Sequence, residues 1–190
     1  MSRRNPTRRP GPVPADGGPA QGSARQDCLR AVQRGDVEGV RALLEAGTAA
    51  DWRDGDGCSL VFHAIFRRQF AVAEVLLAHG ADIDLTDRHS WTPLFWAAFN
   101  GHADVVGFLL AHGAEADAPT REGDRPLFIA SYKGHAEVVG LLLAGGASPA
   151  ARDGASGLDA LGVARLRGHG AIVRLLQAGA PPAPSAFSCH

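Results

Sequence analysis

Eight histidines, three cysteines and a scatter of aspartates are the side chains here that could do chemistry. Histidines suit a metal centre or acid–base catalysis, carboxylates a hard cation such as calcium, and thiols a nucleophile or a zinc ligand. The spacings argue against each. His102 and His135 are 33 residues apart, as are His79 and His112. If 33 residues make one packed unit, such histidines lie roughly 10 Å apart, too far to share a metal that each must approach to about 2 Å. Asp54, Asp56, Asp82, Asp84 and Asp87 fall where turns are expected, and aspartate serves turns by bonding its own backbone. Cys28, Cys58 and Cys189 are odd in number and show no CxxC spacing, so neither a disulfide framework nor a zinc site is expected. Cys28 takes a core register position, whereas Cys58 falls in a loop where a thiol could react. A Ser-His-Asp set, a phosphate-binding P-loop and GxGxxG are all missing from the sequence. No catalytic residue, metal, cofactor or small-molecule substrate is expected.

The 33-residue step belongs to the whole chain. It relates Gly47, Gly80, Gly113 and Gly146, then Leu43, Leu76, Leu109 and Leu142, then Ala31, Ala64, Ala97 and Ala130. A period of this length means stacked units that bury their apolar faces against one another. Within one unit, "TPLFWAAFN" predicts a short helix with Thr92 as N-cap, Pro93 in its first turn and Gly101 as its stop. "ADVVGFLLAH" predicts a second helix with Val105, Val106, Leu109 and Leu110 on one stripe, ended by Gly113. A polar stretch leads to the next start and reads as a hairpin-like loop.

At these residues the chain resembles the ankyrin repeat family. "WTPLFWAAFNGHADVVGFLLAHGA" follows the family pattern, and "RPLFIASYKGHAEVVGLLLAGGA" does so with Arg125 in place of threonine. The resemblance implies an all-α solenoid of five repeats, at about 25–53, 54–86, 87–119, 120–153 and 154–180, with stacked helix pairs and projecting β-hairpin loops. It assigns His102, His135 and His169 to the Gly-His turn between the two helices. His79 and His112 precede the stop of a second helix and meet its dipole end. Repeat 2 departs from the pattern, with Arg68-Gln69 in place of Gly-His, so its turn is expected to be unusual. The end repeats depart as caps should, and Gln177 stands where earlier repeats carry leucine. The family's loop-bracing histidine is replaced by Phe62, Phe95 and Phe128. The asparagine that is hydroxylated in certain members is Asp84 here, with Asp117 one repeat on.

Outside residues 25–180, the Pro-, Gly- and Arg-rich segment 1–24 and the segment 181–190 read as flexible tails. Residues 1–24 carry +3, leaving −4 for the rest of a chain whose net charge is −1. That balance offers little to nucleic acid or to an anionic membrane. Arginines without an apolar run behind them give no secretion signal, and no apolar stretch is long enough to span a bilayer. Free cysteines point to the cytoplasm, with the nucleus also open.

The expected function is therefore non-catalytic: a monomeric scaffold or adaptor binding a partner protein along the concave groove. The alternative is a stoichiometric inhibitor that clamps a folded enzyme such as a kinase. Phe66, Phe99 and Tyr132 share one position near the end of the first helix, with Leu166 in repeat 5. Arg34, Arg67, Asn100, Lys133 and Arg167 share the next. In the family both positions face the groove. The expectation is a contact row with Phe99 at least half exposed, and a basic row that favours an acidic or phosphorylated segment. The competing reading packs the aromatics as core, through the i, i+4 pairs Phe62–Phe66, Phe95–Phe99 and Phe128–Tyr132. Loop tips add Arg88, His89, Trp91, Arg121 and Asp124. Trp91 either anchors a partner or folds back, and Trp96 is expected to pack between repeats.

Overall fold

The structure, a computed structural model, describes residues 19–178. Most of the expected N-terminal tail, all of the C-terminal one and Cys189 lie outside the described residues. Among the described residues ten helices make five pairs: α1 (Pro19–Arg34) with α2 (Val37–Glu45), α3 (Leu60–Phe66) with α4 (Phe70–Ala78), α5 (Pro93–Asn100) with α6 (Ala103–Ala111), α7 (Pro126–Lys133) with α8 (Ala136–Ala144), and α9 (Ala160–Leu166) with α10 (Gly170–Ala178). Residues 19–24, expected in the tail, are the first turns of α1, which carries Cys28 and Val32 into the core. The loops contain one isolated antiparallel bridge, Arg53 with Ser59, and otherwise only turns.

The sequence sets each helix start. Thr92 Oγ1 accepts from the Phe95 amide at 3.1 Å, Ser59 Oγ does the same for Phe62 at 3.1 Å, and Asp159 for Gly162 at 2.7 Å. Pro93 and Pro126 occupy first turns, where their missing N–H costs nothing. Arg125, in the threonine slot of repeat 4, supplies no cap and instead reaches the Asp117 carbonyl. Ala64, Ala97, Ala130 and Ala164 are fully buried, because first helices close on one another only over small side chains. Leu76, Leu109 and Leu142 form the fully buried column of the second helices, with Val106 and Val139 beside them.

Hydrogen bonds from each repeat to the next fix the stack. His135 Nε2 donates to the Phe99 carbonyl at 3.2 Å, and His169 Nε2 to the Tyr132 carbonyl at 3.1 Å. Each imidazole lies against the preceding repeat's turn glycine: a Cβ on Gly101 would come within 2.7 Å of the His135 ring. Gly101 is doubly required there, since its φ of 75° is also left-handed. Carboxylates make a second ladder. Asp51 accepts from the Asp82 amide, Asp84 from Glu115 and Asp117 from Ser148. Within each loop, Asp54, Asp87, Thr120 and Asp153 recur near 33-residue spacing and accept from their own loop's amides. These Asx- and threonine-type bonds brace each loop from within, in repeats where phenylalanine stands at 62, 95 and 128.

One seam differs. The helices of repeats 2 and 3 approach less closely than other neighbouring pairs. Large aromatics fill the gap: Trp96 lies 4.2 Å from Phe66 and 6.0 Å from Phe62 between ring centroids, and Phe70 stacks on Phe108 at 4.8 Å. His102 does not copy His135; it meets Trp96 at 5.3 Å and the Arg68 guanidinium at 3.3 Å. Arg68, in the glycine position, is forced to φ 57°. Its side chain bonds Asp104 across the seam at 2.6 Å, and this bond holds the Asp104 carboxyl below its usual range.

Two outcomes test this architecture. Leu109→Ala should lower stability by about 2–5 kcal/mol, because the site is closed on all sides, and the urea midpoint reads it directly. Burial pushes the Asp84 carboxyl up to about 6, despite the Glu115 amide that lowers it. A carboxylate raised in the folded state binds its proton more tightly there than when unfolded. Its contribution is therefore favourable at pH 4 and is lost as pH rises through about 6. Asp84→Asn keeps the acceptor and removes the charge, so its urea midpoint relative to the parent should be higher at pH 7 than at pH 4. Equal differences at the two pH values would refute the assignment.

Candidate partner-binding groove

The ends of α3, α5, α7 and α9 bring position 66 and its equivalents into a row. Among the described residues, the exposed large apolar side chains are Phe66 at 50 %, Tyr132 at 37 % and Leu166 at 73 %. All three occupy this one position of the repeat. Phe99, the fourth member, is not half exposed as expected. Trp91 lies 5.3 Å from its ring and 5.1 Å from that of Phe95, while Lys133 Nζ caps it at 4.1 Å. Nor is it closed core: it is partly buried at the edge of the apolar cluster.

Trp91 accordingly does not project from its loop. Asp87 Oδ1 accepts from the Trp91 amide at 2.9 Å, which turns the chain back and lays the indole along α5. Trp96 packs against the preceding repeat, as expected. Phe62–Phe66 stack at 6.3 Å, so part of the core reading also holds in repeat 2.

The basic row is only partly available to a partner. Lys133 sits on Phe99, and Arg167 sits 4.5 Å above Tyr132, each cation reaching back to the aromatic of the repeat before it. Asn100 takes the same position opposite Phe66, but it donates to the Trp96 carbonyl at 2.9 Å. Phe66 therefore has no cation over it and shows half its surface. Arg67 and Arg34 are exposed.

Loop tips are likewise engaged within the chain. Arg88 Nη1 bonds Asp56 at 2.6 Å and its Nε donates to His89 Nε2 at 3.2 Å. Arg121 is exposed, while Asp124 is half-buried. A hydrogen bond shared with Asp153, together with burial, raises the Asp124 carboxyl to about 6 and lowers Asp153. Cys58 is half-buried. Burial and the charges of Asp54, Asp87 and Asp56 push its thiol up to about 11, opposite to the direction that activates a thiolate. Among the described residues no three His, Cys, Asp or Glu side chains converge as a metal site, and no helix is long and apolar enough to cross a membrane.

Two open depressions run along the loop side of the row. One, of about 420 Å³, lies at the repeat 2–3 seam between Phe62, Trp91 and Trp96, with Asp56, Asp87 and Arg88 at its rim. The second, of about 380 Å³, lies beyond Trp91 and is bounded by His89, Arg121, Glu122 and Asp124. Sequence reasoning missed Phe62 and Trp96 as walls of a cleft, having assigned both to packing. The signal was available: Trp96 falls where the next repeat has Ile129, and a ring too large for a closed seam opens one.

The partly covered state of Phe99 has a measurable consequence. Phe99→Ala should cost about 2 kcal/mol, between the values for a surface site and for a closed core site. A double-mutant cycle with Lys133→Ala should give a coupling of about 0.5–1 kcal/mol. A cycle with no coupling would show that the cation does not hold the ring.

Comparison with known families agrees with this architecture. A search of curated proteins found no match. A family model described as ankyrin repeats (3 copies) matches residues 29–120, and one described as ankyrin repeats (many copies) matches residues 104–143. Together they span 29–143, well over half of the chain and the heart of the helix stack, and the chain belongs to the ankyrin repeat family.

Proposed function

We propose that this protein is a binding scaffold that takes a segment of a partner protein along the row Phe66, Phe99, Tyr132 and Leu166, without catalysis. Ankyrin repeats are generally protein–protein interaction modules. The observation that carries the proposal for this chain is the distribution of exposed apolar surface: its large exposed members recur at one repeat position instead of scattering. Surface apolar residues scattered singly need no explanation, but exposure that recurs at one position of the repeat does. Arg67, Arg121 and Arg167 flank the row, and aromatics beside arginine have the composition of interface hot spots.

A clamp on a folded enzyme would instead lean on the loop tips. Its expected anchors are less suited to that use: Trp91 is laid against Phe95 and Phe99, and Arg88 is held by Asp56.

Phe66→Ala and Tyr132→Ala should each leave stability within about 1 kcal/mol of the parent, as exposed positions do. In affinity capture from cell extract followed by mass spectrometry, both should lose the same partner that the parent retains. Retention of every partner by both variants, with folding intact, would overturn the groove assignment.

A further inference from the structure

The cleft at the repeat 2–3 seam differs in chemistry from the basic row beside it. Its walls are the rings of Phe62, Trp91 and Trp96, and its rim carries Asp56 and Asp87. Arg88 is the cation on that rim, and Asp56 already binds it at 2.6 Å. Asp87 accepts the His89 and Trp91 amides on one oxygen, Oδ1. Asp54 stands behind, bonded to His63 at 2.7 Å. Carboxylates thus outnumber guanidinium groups around a hollow lined by aromatic rings. Such a hollow suits a cation: the ring faces attract positive charge, and the carboxylates add to that field.

The chain's own rings show the same preference. In repeats 3 and 4 the row aromatic is covered by a cation from the next repeat, Lys133 on Phe99 and Arg167 on Tyr132. At the seam the corresponding residue is Asn100, which bonds a carbonyl instead. The Phe62–Phe66–Trp96 group therefore has no cation from the next repeat, and it adjoins the place where carboxylates collect. Cys58, on the cleft wall, registers that field: after burial, the charges raising its thiol are those of Asp54, Asp87 and Asp56, opposed by Arg88 alone.

We propose that this cleft receives the side chain of a lysine or arginine from the partner segment, held between the Trp91 and Trp96 rings with Asp87 as counter-charge. The inference rests on the binding-scaffold reading and names one feature of its partner: a basic residue positioned to reach the seam between repeats 2 and 3. The volume of about 420 Å³ accommodates one extended basic side chain and is open to solvent. The groove thereby has two polarities, with Arg67 and Arg34 at the helix ends and carboxylates at the seam. A partner carrying only acidic groups would leave the cleft unmatched.

The cleft can be tested without the partner. Indole N–H resonances of isotopically labelled full-length protein report on Trp52, Trp91 and Trp96 separately. The probes are butyltrimethylammonium and butylguanidinium, with an uncharged branched alcohol of matching shape and butyl phosphate as controls. Both cations should shift Trp91 and Trp96 saturably, leave Trp52 in place, and bind about tenfold more tightly than the alcohol. Asp87→Asn should weaken the cations several-fold and leave the alcohol unchanged. If that loop variant fails to keep the parent's helical signal, Asp56→Asn, which frees Arg88 into the cleft, should have the same effect. Equal affinity for cation and alcohol, tighter binding of butyl phosphate, or no saturable shift would each overturn the proposal. Such a failure, with Phe66→Ala still losing its partner, would leave the groove reading standing. Binding of the probes with no effect of Phe66→Ala or Tyr132→Ala on capture would do the reverse.

Discussion

Every helix pair in this chain depends on burial against the next pair. A nine-residue second helix such as α6 has only Val105, Val106 and Leu109 fully inside, and it packs on its own first helix and on α8 of the next repeat. Isolated helices of that length are marginal in water, so the stack, not the propensity of any segment, holds them. Alanines at 64, 97, 130 and 164 set how closely first helices approach, and the glycine turns leave room for the histidines that bind one repeat's turn to a carbonyl of the repeat before it. The groove inherits its regularity from this constraint. A side chain at one position of the repeat must recur along one line.

The same constraint explains why the repeat 2–3 seam is the place where geometry departs. Trp96 and Phe62 cannot close over alanine-sized spacing, so the helices stand further apart. His102 then cannot repeat the bond that His135 makes, and Arg68 takes the glycine's left-handed backbone, at a cost of about 1 kcal/mol or more. Its bond to Asp104 offsets part of that cost across the gap. The seam gives up a turn bond and tolerates strain, and there Phe66 is exposed and Trp96 only half-buried. Elsewhere in the stack the aromatic equivalents of Phe66, which are Phe99 and Tyr132, each carry a cation from the next repeat.

The period, the helix pairs, the caps and the polar role of the histidines could all be read from the sequence, because each follows from a residue type at a fixed register. Thr92, Gly101 and His135 behave as their positions dictate. What could not be read was which of two geometrically allowed neighbours a surface side chain would choose. Phe99 shares its register with Phe66, yet Lys133 covers one and Asn100 leaves the other open. Trp91 could have stood out from its loop, but the Asp87 turn that fixes its direction depends on backbone dihedrals that composition does not specify. The start of α1 at Pro19 was hidden for a different reason. Residues 19–24, PAQGSA, carry no apolar stripe to announce a helix and are helical as the extension of a packed cap.

Charge in the groove follows from these choices more than from the count of arginines. Five basic or polar positions lie beside the aromatic row, but Lys133 and Arg167 are committed to rings and Asn100 to a carbonyl. A cation held over a ring keeps its charge while losing the freedom to reach outward, so a partner meets a stiff surface instead of long mobile side chains. Less conformational entropy is then lost on binding, at the expense of adaptable ion pairing. Arg34 and Arg67, the exposed members, lie at the N-terminal end of the row, at the helix ends, whereas the seam carboxylates lie in the loops. Orientation of a bound segment would be set by that separation of charge, while the apolar members Tyr132 and Leu166 contribute area without direction.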